Sequence, residues 1–301
     1  MVEVVHREIA LITGIRGFTG EYVASEMRRN GYQVFGTCLR EDDADEFVSV
    51  IDLRDRESVL GYINKLKPKV VIHLAAISFV GHEDVQEIYE MNILGTRNLL
   101  EGLAKLEVVP DSVVLASSAN IYGNSPDDPI SEASPVLPQN DYAVSKFAME
   151  LMAQTWLGRL PITIVRPFNY IGRGQSTNFL IPKIVEAVKA GEIEISLGNI
   201  DVERDFSDVR TVAWVYGQLA MKPFSGEVFN ISSGHSIALT EAFNRICSIA
   251  DSQIRIKPSE HLKRSGEVSR LRGDSSKLWK HIGKPVEIPL DETFAWMLER
   301  Y

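Results

Sequence analysis

Ile9-Ala10-Leu11-Ile12-Thr13-Gly14-Ile15-Arg16-Gly17-Phe18-Thr19-Gly20 is the stretch that decides how this chain is read. Ile9–Thr13 has the short apolar run of a buried strand, and it passes directly into three glycines spaced G-x-x-G-x-x-G. Each glycine has a physical reason in a strand–loop–helix turn. Gly14 permits the tight turn off the strand, Gly17 lets a diphosphate approach the backbone, and Gly20 lets the following helix pack on the sheet. The diphosphate would then face the N–H groups and positive dipole end of that helix. Three glycines alone would fit any strand–helix turn. The predicted strand before them and the predicted helix after them, Glu21–Asn30 stopped by Gly31, give the pattern its meaning.

Outward from this loop the first half alternates apolar runs with amphipathic ones. Strands are predicted at Gln33–Thr37, Ser49–Asp52, Val70–Ala75, Ser112–Ser117 and Thr163–Arg166, with helices at Arg56–Leu66 and Val85–Leu106 and from Asp141. Buried strands alternating with helices predict βαβ units and a doubly wound parallel sheet. The second half is less regular, with a helix at Pro182–Gly191, a strand at Glu227–Ile231 returning to the main sheet, and a basic, loop-like stretch at Leu262–Arg272. The expected division is a dinucleotide-binding Rossmann domain of residues 1–168 plus about 208–234. A smaller, discontinuous α/β substrate lobe takes about 169–207 plus 235–301.

Composition narrows the class. The chain has 301 residues, 45% of them apolar and 24% charged, with a net charge of −9. These values suit a globular protein with a full core and argue against disorder. The acidic balance argues against a nucleic-acid partner, which needs a basic face. No apolar run reaches the roughly 18 residues of a membrane span, and the first eight residues lack the apolar stretch of a secretory signal. Two cysteines, Cys38 and Cys247, exclude a disulfide framework and a four-Cys zinc site; they fit a reducing cytoplasm, and no metal is expected.

The second strand bears on the cofactor. A carboxylate there would take the adenine ribose hydroxyls of NAD, but the strand ends in Thr37-Cys38-Leu39-Arg40, and Asp42 and Asp43 come later. Arg16 and Arg40 are placed to meet a 2′-phosphate, which favours NADP(H) over NAD(H); a solvated surface arginine is the competing reading of Arg40. Asp52, before Leu53, is a candidate for the adenine amine, with a helix N-cap as the competing reading.

Tyr142-Ala143-Val144-Ser145-Lys146 is a Y-x-x-x-K sequence. On a helix the phenol and the ammonium share a face, and the nearby positive charge lowers the phenol's pKa. A phenol so tuned can protonate a carbonyl oxygen as hydride arrives. A hydroxyl on the strand end Leu115-Ala116-Ser117-Ser118 would hold that oxygen, and Ser118 is preferred to Ser117.

Together these residues resemble the extended branch of the short-chain dehydrogenases/reductases, over essentially the whole chain. Thr13–Gly20 is similar to that branch's cofactor loop, and His73-Leu74-Ala75-Ala76 to its fourth-strand motif. Met91-Asn92-Ile93-Leu94-Gly95-Thr96 is similar to its N-x-x-G-T segment, and Ser117–Gly123 to its catalytic-serine motif. The resemblance implies that Phe18, Thr19, Leu53, Leu74, Ala75, Ala76, Asn92 and Pro167 line the cofactor, and that the substrate is a nucleotide-diphospho sugar. Arg166–Gly172 with Gly174-Gln175, and Gly198–Asp201 with Arg204–Val209, resemble segments of GDP-mannose 4,6-dehydratases and GDP-4-keto-6-deoxy-D-mannose reductases. The resemblance implies that Asn169, Arg204 and Arg264 contact the diphosphate and Glu267 the ribose, with Asn120, Ser78, Phe79 and Tyr170 around the sugar. For Arg204 and Arg264, surface ion pairs with Asp201, Glu203 or Glu260 are the competing reading.

One departure separates reactions. The dehydratases carry acid–base groups directly after the catalytic hydroxyl; here those places hold Ala119 and Asn120, neither of which can move a proton. Dehydration is disfavoured. The Cys/His pair of a double epimerase–reductase is also missing from the expected places. The resemblance therefore implies reduction of the C4 ketone of GDP-4-keto-6-deoxy-D-mannose, to GDP-D-rhamnose or GDP-6-deoxy-D-talose. An NAD-dependent 4-epimerase is the alternative, and a non-catalytic NADP-binding sensor a third reading. A homodimer is also implied, through Ile88, Met91, Leu94, Phe147, Leu151 and Met152, unless these are all intramolecular core.

Overall fold

The computed structural model describes residues 7–78, 84–200, 202–259, 261 and 268–299. By contacts the chain groups into two units: residues 1–118, 140–166 and 213–229, and residues 119–139, 167–212 and 230–301. This grouping differs from the sequence expectation chiefly at 119–139. That segment follows Ser118 in sequence, but its contacts lie with the second unit: Ile130 bridges Gly273, and Glu132 accepts from the Asn230 amide.

The first unit is built on β1 (Ile9–Thr13), β2 (Gln33–Cys38), β3 (Val48–Val50), β4 (Val70–His73), β5 (Ser112–Ala116) and β6 (Ile162–Pro167). With β10 (Val228–Ile231) they form a seven-stranded sheet in the order β10-β6-β5-β4-β1-β2-β3. The pairs from β3 to β6 are all parallel. Hydrogen bonds from Ile164 to Glu227 and from Phe168 to Ile231 advance together along β6 and β10, so this pair is parallel too. Ala10–Ile12, Val70–Ile72 and Val113–Leu115 are buried throughout, as strands covered on both faces must be. The order reverses at β1 and β4, the switch point where a doubly wound sheet binds its ligand.

The helices of this unit are α1 (Phe18–Arg29), α2 (Arg56–Leu66), α3 (Val85–Tyr89), α4 (Thr96–Ala104) and α5 (Asp141–Gln154). Helix α1 begins three residues before its sequence expectation, because Gly17 already serves as its N-cap. The long helix expected at 85–106 is interrupted by a π-helical segment, Glu90–Gly95, between α3 and α4. Strand β3 ends two residues before its sequence expectation, and Asp52 beyond it accepts from the Arg54 amide.

The second unit holds β7 (Asn169–Ile171), β8 (Glu194–Leu197), β9 (Glu203–Asp208), β11 (Ser236–Ala238), β12 (Arg255–Pro258) and β13 (Arg270–Leu271). Strand β9 lies at its centre, paired with β11, β13 and β7, while β12 pairs with β8. The basic stretch expected as loop to residue 272 thus ends in a strand. Helices α6 (Leu180–Lys189), α8 (Leu239–Ile249) and α10 (Leu290–Leu298) close a core around Ile184, Phe206, Phe243 and Phe294. Helices α7 (Val209–Met221) and α9 (Ser276–Ile282) complete the chain. Among the described residues no helix is long and apolar enough to cross a membrane.

Candidate active site

The glycine loop takes its shape from contacts that exclude any side chain. Gly14 has φ +69°, and a Cβ there would lie 2.9 Å from the backbone N and Cα of Ala75. The turn off β1 therefore rests on the chain leaving β4. A Cβ on Gly20 would stand 2.3 Å from Gly14 O and 2.5 Å from Ile15 O. Its glycine is required by the loop folded over the helix start, rather than by packing on the sheet as expected. At Gly17 the nearest atom to such a Cβ is Gly14 O at 3.2 Å. The N-cap of α1 is Gly17, which has no side chain to cap it. A helix that starts on a bare glycine is geometry suited to an anionic diphosphate.

The structure brings Arg16 and Arg40 to one acidic turn beyond β2. Arg40 donates to both carboxylate oxygens of Asp43, at 2.8 and 3.1 Å. Arg16 Nε donates to the Asp43 carbonyl at 2.9 Å, and its guanidinium also pairs with Asp45. Asp52 is no helix N-cap: Asp55 caps α2, accepting from the Glu57 and Ser58 amides. The Asp52 carboxylate instead takes Arg54, at 2.7 Å in its shortest contact. Leu53, expected against the cofactor, is buried in the core, and its carbonyl accepts from Asn98.

Helix α5 carries Tyr142 and Lys146 one turn apart, started by Asn140, whose side chain accepts from the Ala143 amide. Both side chains are buried. The Lys146 ammonium donates to Ala116 O at 2.7 Å, which ties α5 to the end of β5 two residues before Ser118. Burial pushes the Lys146 pKa down to about 8, with the nearby Glu150 carboxylate opposing the shift. Ser118 is 7% exposed. Its neighbour Ser117 is buried with its hydroxyl oxygen unpartnered.

Asn92, expected to line the cofactor, lies in the segment between α3 and α4. Both protons of its amide are engaged, by Ile77 O at 3.2 Å and Ser145 Oγ at 2.9 Å, and its oxygen accepts from Ile77 N. Ser145 Oγ in turn donates to Tyr142 O at 2.8 Å. Asn92 thus ties α5, through Ser145, to the chain that leaves β4 toward Ser78. Ser78 itself is exposed.

Sequence reading missed the charge pair behind the lysine. Glu150, one turn beyond Lys146, is 1% exposed and takes a two-pronged hydrogen bond from Arg166 of β6, at 3.0 and 2.6 Å. A Lys-x-x-x-Glu spacing ahead of a strand ending in Arg-Pro was the available signal.

In the second unit, Asn120 lies in a short 3₁₀ turn, Ala119–Tyr122, and Asn169 starts β7 opposite Phe206. Arg204 is half-buried on β9 and donates to Glu203 O at 2.9 Å. The Glu203 carboxylate is held by Arg270 and Ser236. Asp205, fully buried, accepts from Ser233 N and Oγ, Gly234 N and Gly273 N, fixing the turn after β10 to β9 and β13. Pro167 ends β6 and is buried. Phe79, Arg264 and Glu267 lie outside the described residues.

Comparisons with known proteins show the family of this chain. A family model described as GDP-mannose 4,6 dehydratase matches residues 11–297. The GDP-6-deoxy-D-talose 4-dehydrogenase of Aggregatibacter actinomycetemcomitans is 35% identical over 91% of this chain and 90% of its own. The GDP-6-deoxy-D-mannose reductase of Pseudomonas aeruginosa is 32% identical over 82% of this chain and 84% of its own. Among solved structures, a Burkholderia cenocepacia protein provisionally called an epimerase superposes with a TM-score of 0.91 at 41% identity, covering 97% of both chains. The structure of RMD from Pseudomonas aeruginosa complexed with NADPH superposes with a TM-score of 0.84 at 28% identity, again covering 97% of each chain. On this evidence the chain belongs to the GDP-mannose 4,6-dehydratase family of extended short-chain dehydrogenases/reductases.

Proposed function

We propose that this protein is an NADPH-dependent reductase that converts the C4 ketone of GDP-4-keto-6-deoxy-D-mannose to the alcohol of GDP-D-rhamnose or GDP-6-deoxy-D-talose. The observation that carries this reading is a site with Ser118, Tyr142 and Lys146 retained but Ala119 and Asn120 in the acid–base places of a dehydratase. Two relatives named for oxidation or reduction of GDP-6-deoxyhexoses support it.

The nicotinamide group, when bound, supplies the hydride. Gly14, Gly17 and Gly20 shape the loop that would hold its diphosphate, and Arg16 and Arg40 its 2′-phosphate. Tyr142 delivers its phenolic proton to the sugar O4 as charge develops there. Ser118 donates a hydrogen bond to the same oxygen, and the Lys146 ammonium keeps the phenol acidic. Proton transfer to a developing alkoxide inside a buried site is where such donors lower a barrier most.

NADPH and GDP-4-keto-6-deoxy-D-mannose together should show one NADPH oxidised per alcohol formed. A 4-epimerase, the reading favoured by the name of the Burkholderia structure, would interconvert sugars with no net oxidation of added cofactor, and that result would displace the proposal.

Two predictions bear on the cofactor and the lysine. Arg40→Ala should weaken NADPH binding at least roughly tenfold, since a charge-assisted bond to phosphate is lost, and leave NADH binding unchanged. Fluorescence titration with both cofactors reads this. The free enzyme should lose the Lys146 ammonium as pH rises through about 8. A pH profile of kcat/KM, which reports free-enzyme groups, should fall on that side.

The proposed setting is the cytoplasm, where the free thiols Cys38 and Cys247 remain reduced. The proposed assembly is a homodimer. Ile88 and Met91, expected at its interface, are buried within the subunit. Leu94, Val144 and Leu151 are the exposed apolar residues of the π segment and α5. Light scattering should give twice the chain mass, and Leu151→Glu should return it to one.

A further inference from the structure

Thr13 and His73 stand side by side in register on β1 and β4, and Thr96 begins α4. All three are buried to within 1% of complete, as are Asn92 and Ser145, so water cannot replace the bonds among them. The direction of each bond follows from the next. Thr96 Oγ1 donates to Asn92 O at 2.8 Å, so it meets His73 as an acceptor. His73 Nε2, 2.8 Å away, therefore carries the ring proton. Burial holds this imidazole neutral, its pKa pushed down to about 3, so Nδ1 is bare. Thr13 Oγ1 then donates to Nδ1 at 2.7 Å and accepts from Ala75 N at 3.2 Å. At the other end, Asn92 Nδ2 donates to Ser145 Oγ, which donates to Tyr142 O.

One direction runs throughout. It starts at the Ala75 amide, where the Gly14 turn rests, and passes through Thr13, His73, Thr96, the frame of Asn92 and Ser145 to the carbonyl of Tyr142. Asn92 sits in the π-helical segment, a local widening that proteins keep at functional positions. We propose that Thr13, His73 and Thr96 are positioning residues, which set the placement of the glycine loop against the helix that carries Tyr142 through this single directed line of hydrogen bonds. A displacement of the phenol by about 1 Å can cost on the order of 100-fold in rate.

The kinetic test rests on the reduction proposed above. Thr13→Val and Thr96→Val should each lower kcat, by up to about 100-fold, with KM for NADPH and for the keto sugar little changed. The double variant should be no slower than the slower single one, as expected of groups that act as a unit. Thr13→Ser and Thr96→Ser, which keep the hydroxyl, should recover wild-type kcat. Losses that multiply, a rise in KM at constant kcat, or serine variants as slow as the valine ones would each overturn the inference.

Amide hydrogen exchange supplies an arm that needs no substrate. Thr13→Val, or Thr13→Ser as the control that keeps the fold, is compared with wild type. Exchange should quicken in the valine variant at residues 74–77 and also at 141–147. Acceleration confined to 74–77 would overturn the inference. Failure of the wild type to reduce the keto sugar, with exchange coupled as expected, would overturn the proposed reaction and leave the positioning role standing.

Discussion

Tyr142→Phe should lower the rate of keto-sugar reduction by about 10²–10⁴-fold, the usual contribution of a positioned general acid. NADPH affinity should stay at the wild-type level, because the loop that would hold the cofactor is shaped by Gly14, Gly17 and Gly20 between β1 and α1. The substitution removes one oxygen and leaves the ring, which is packed at the start of α5, in place. Steady-state kinetics beside a cofactor titration separates the two effects. A variant with wild-type turnover would remove Tyr142 from the chemistry, and one that no longer binds NADPH would make its role structural.

The second large effect concerns stability. Arg166→Met leaves the Glu150 carboxylate buried without its partner, and breaking a buried pair from one side costs about 3–5 kcal/mol. At about 2–4 °C per kcal/mol for domains of this size, Tm should fall by roughly 6–20 °C. Glu150→Met together with Arg166→Met should recover most of that loss, since two apolar side chains of similar volume leave no charge stranded. The double variant has a further signature. Glu150 opposes the downward shift of Lys146, so without it the alkaline fall of kcat/KM should move below pH 8. Thermal melts and a pH profile of the same protein test both halves. A single variant as stable as wild type would mean that the pair contributes nothing.

Much of the first unit was legible because its signals are local. The strand, the glycine spacing and the following helix lie within two dozen residues, and Tyr142 and Lys146 are one helical turn apart. The second unit is different in kind. Strand β9 finds its partners in β7, β11 and β13, three short segments scattered over a hundred residues, and no hydrophobic period marks strands of two or three residues. Asp205 is a fully buried carboxylate whose four donors come from 28, 29 and 68 residues away, and sequence treats such a residue as surface. Glu150 and Arg166 escaped notice for the same reason: burial of charge depends on a partner that only the fold supplies. The bonds of Asn92 to Ile77 and Ser145 were not legible either, because a motif names a residue without showing which atoms it satisfies. Ile88 and Met91 carry the apolar character of an interface, yet they face inward.

In the proposed reduction a hydride ends on sugar C4 while Tyr142 protonates O4. This is tested by reduction of GDP-4-keto-6-deoxy-D-mannose with NADPH carrying deuterium at both nicotinamide C4 positions, so that either face delivers the label, followed by NMR of the sugar. One deuterium should appear at C4 of the product for each cofactor oxidised. A product without deuterium, or a sugar inverted while the cofactor stays reduced, would contradict it.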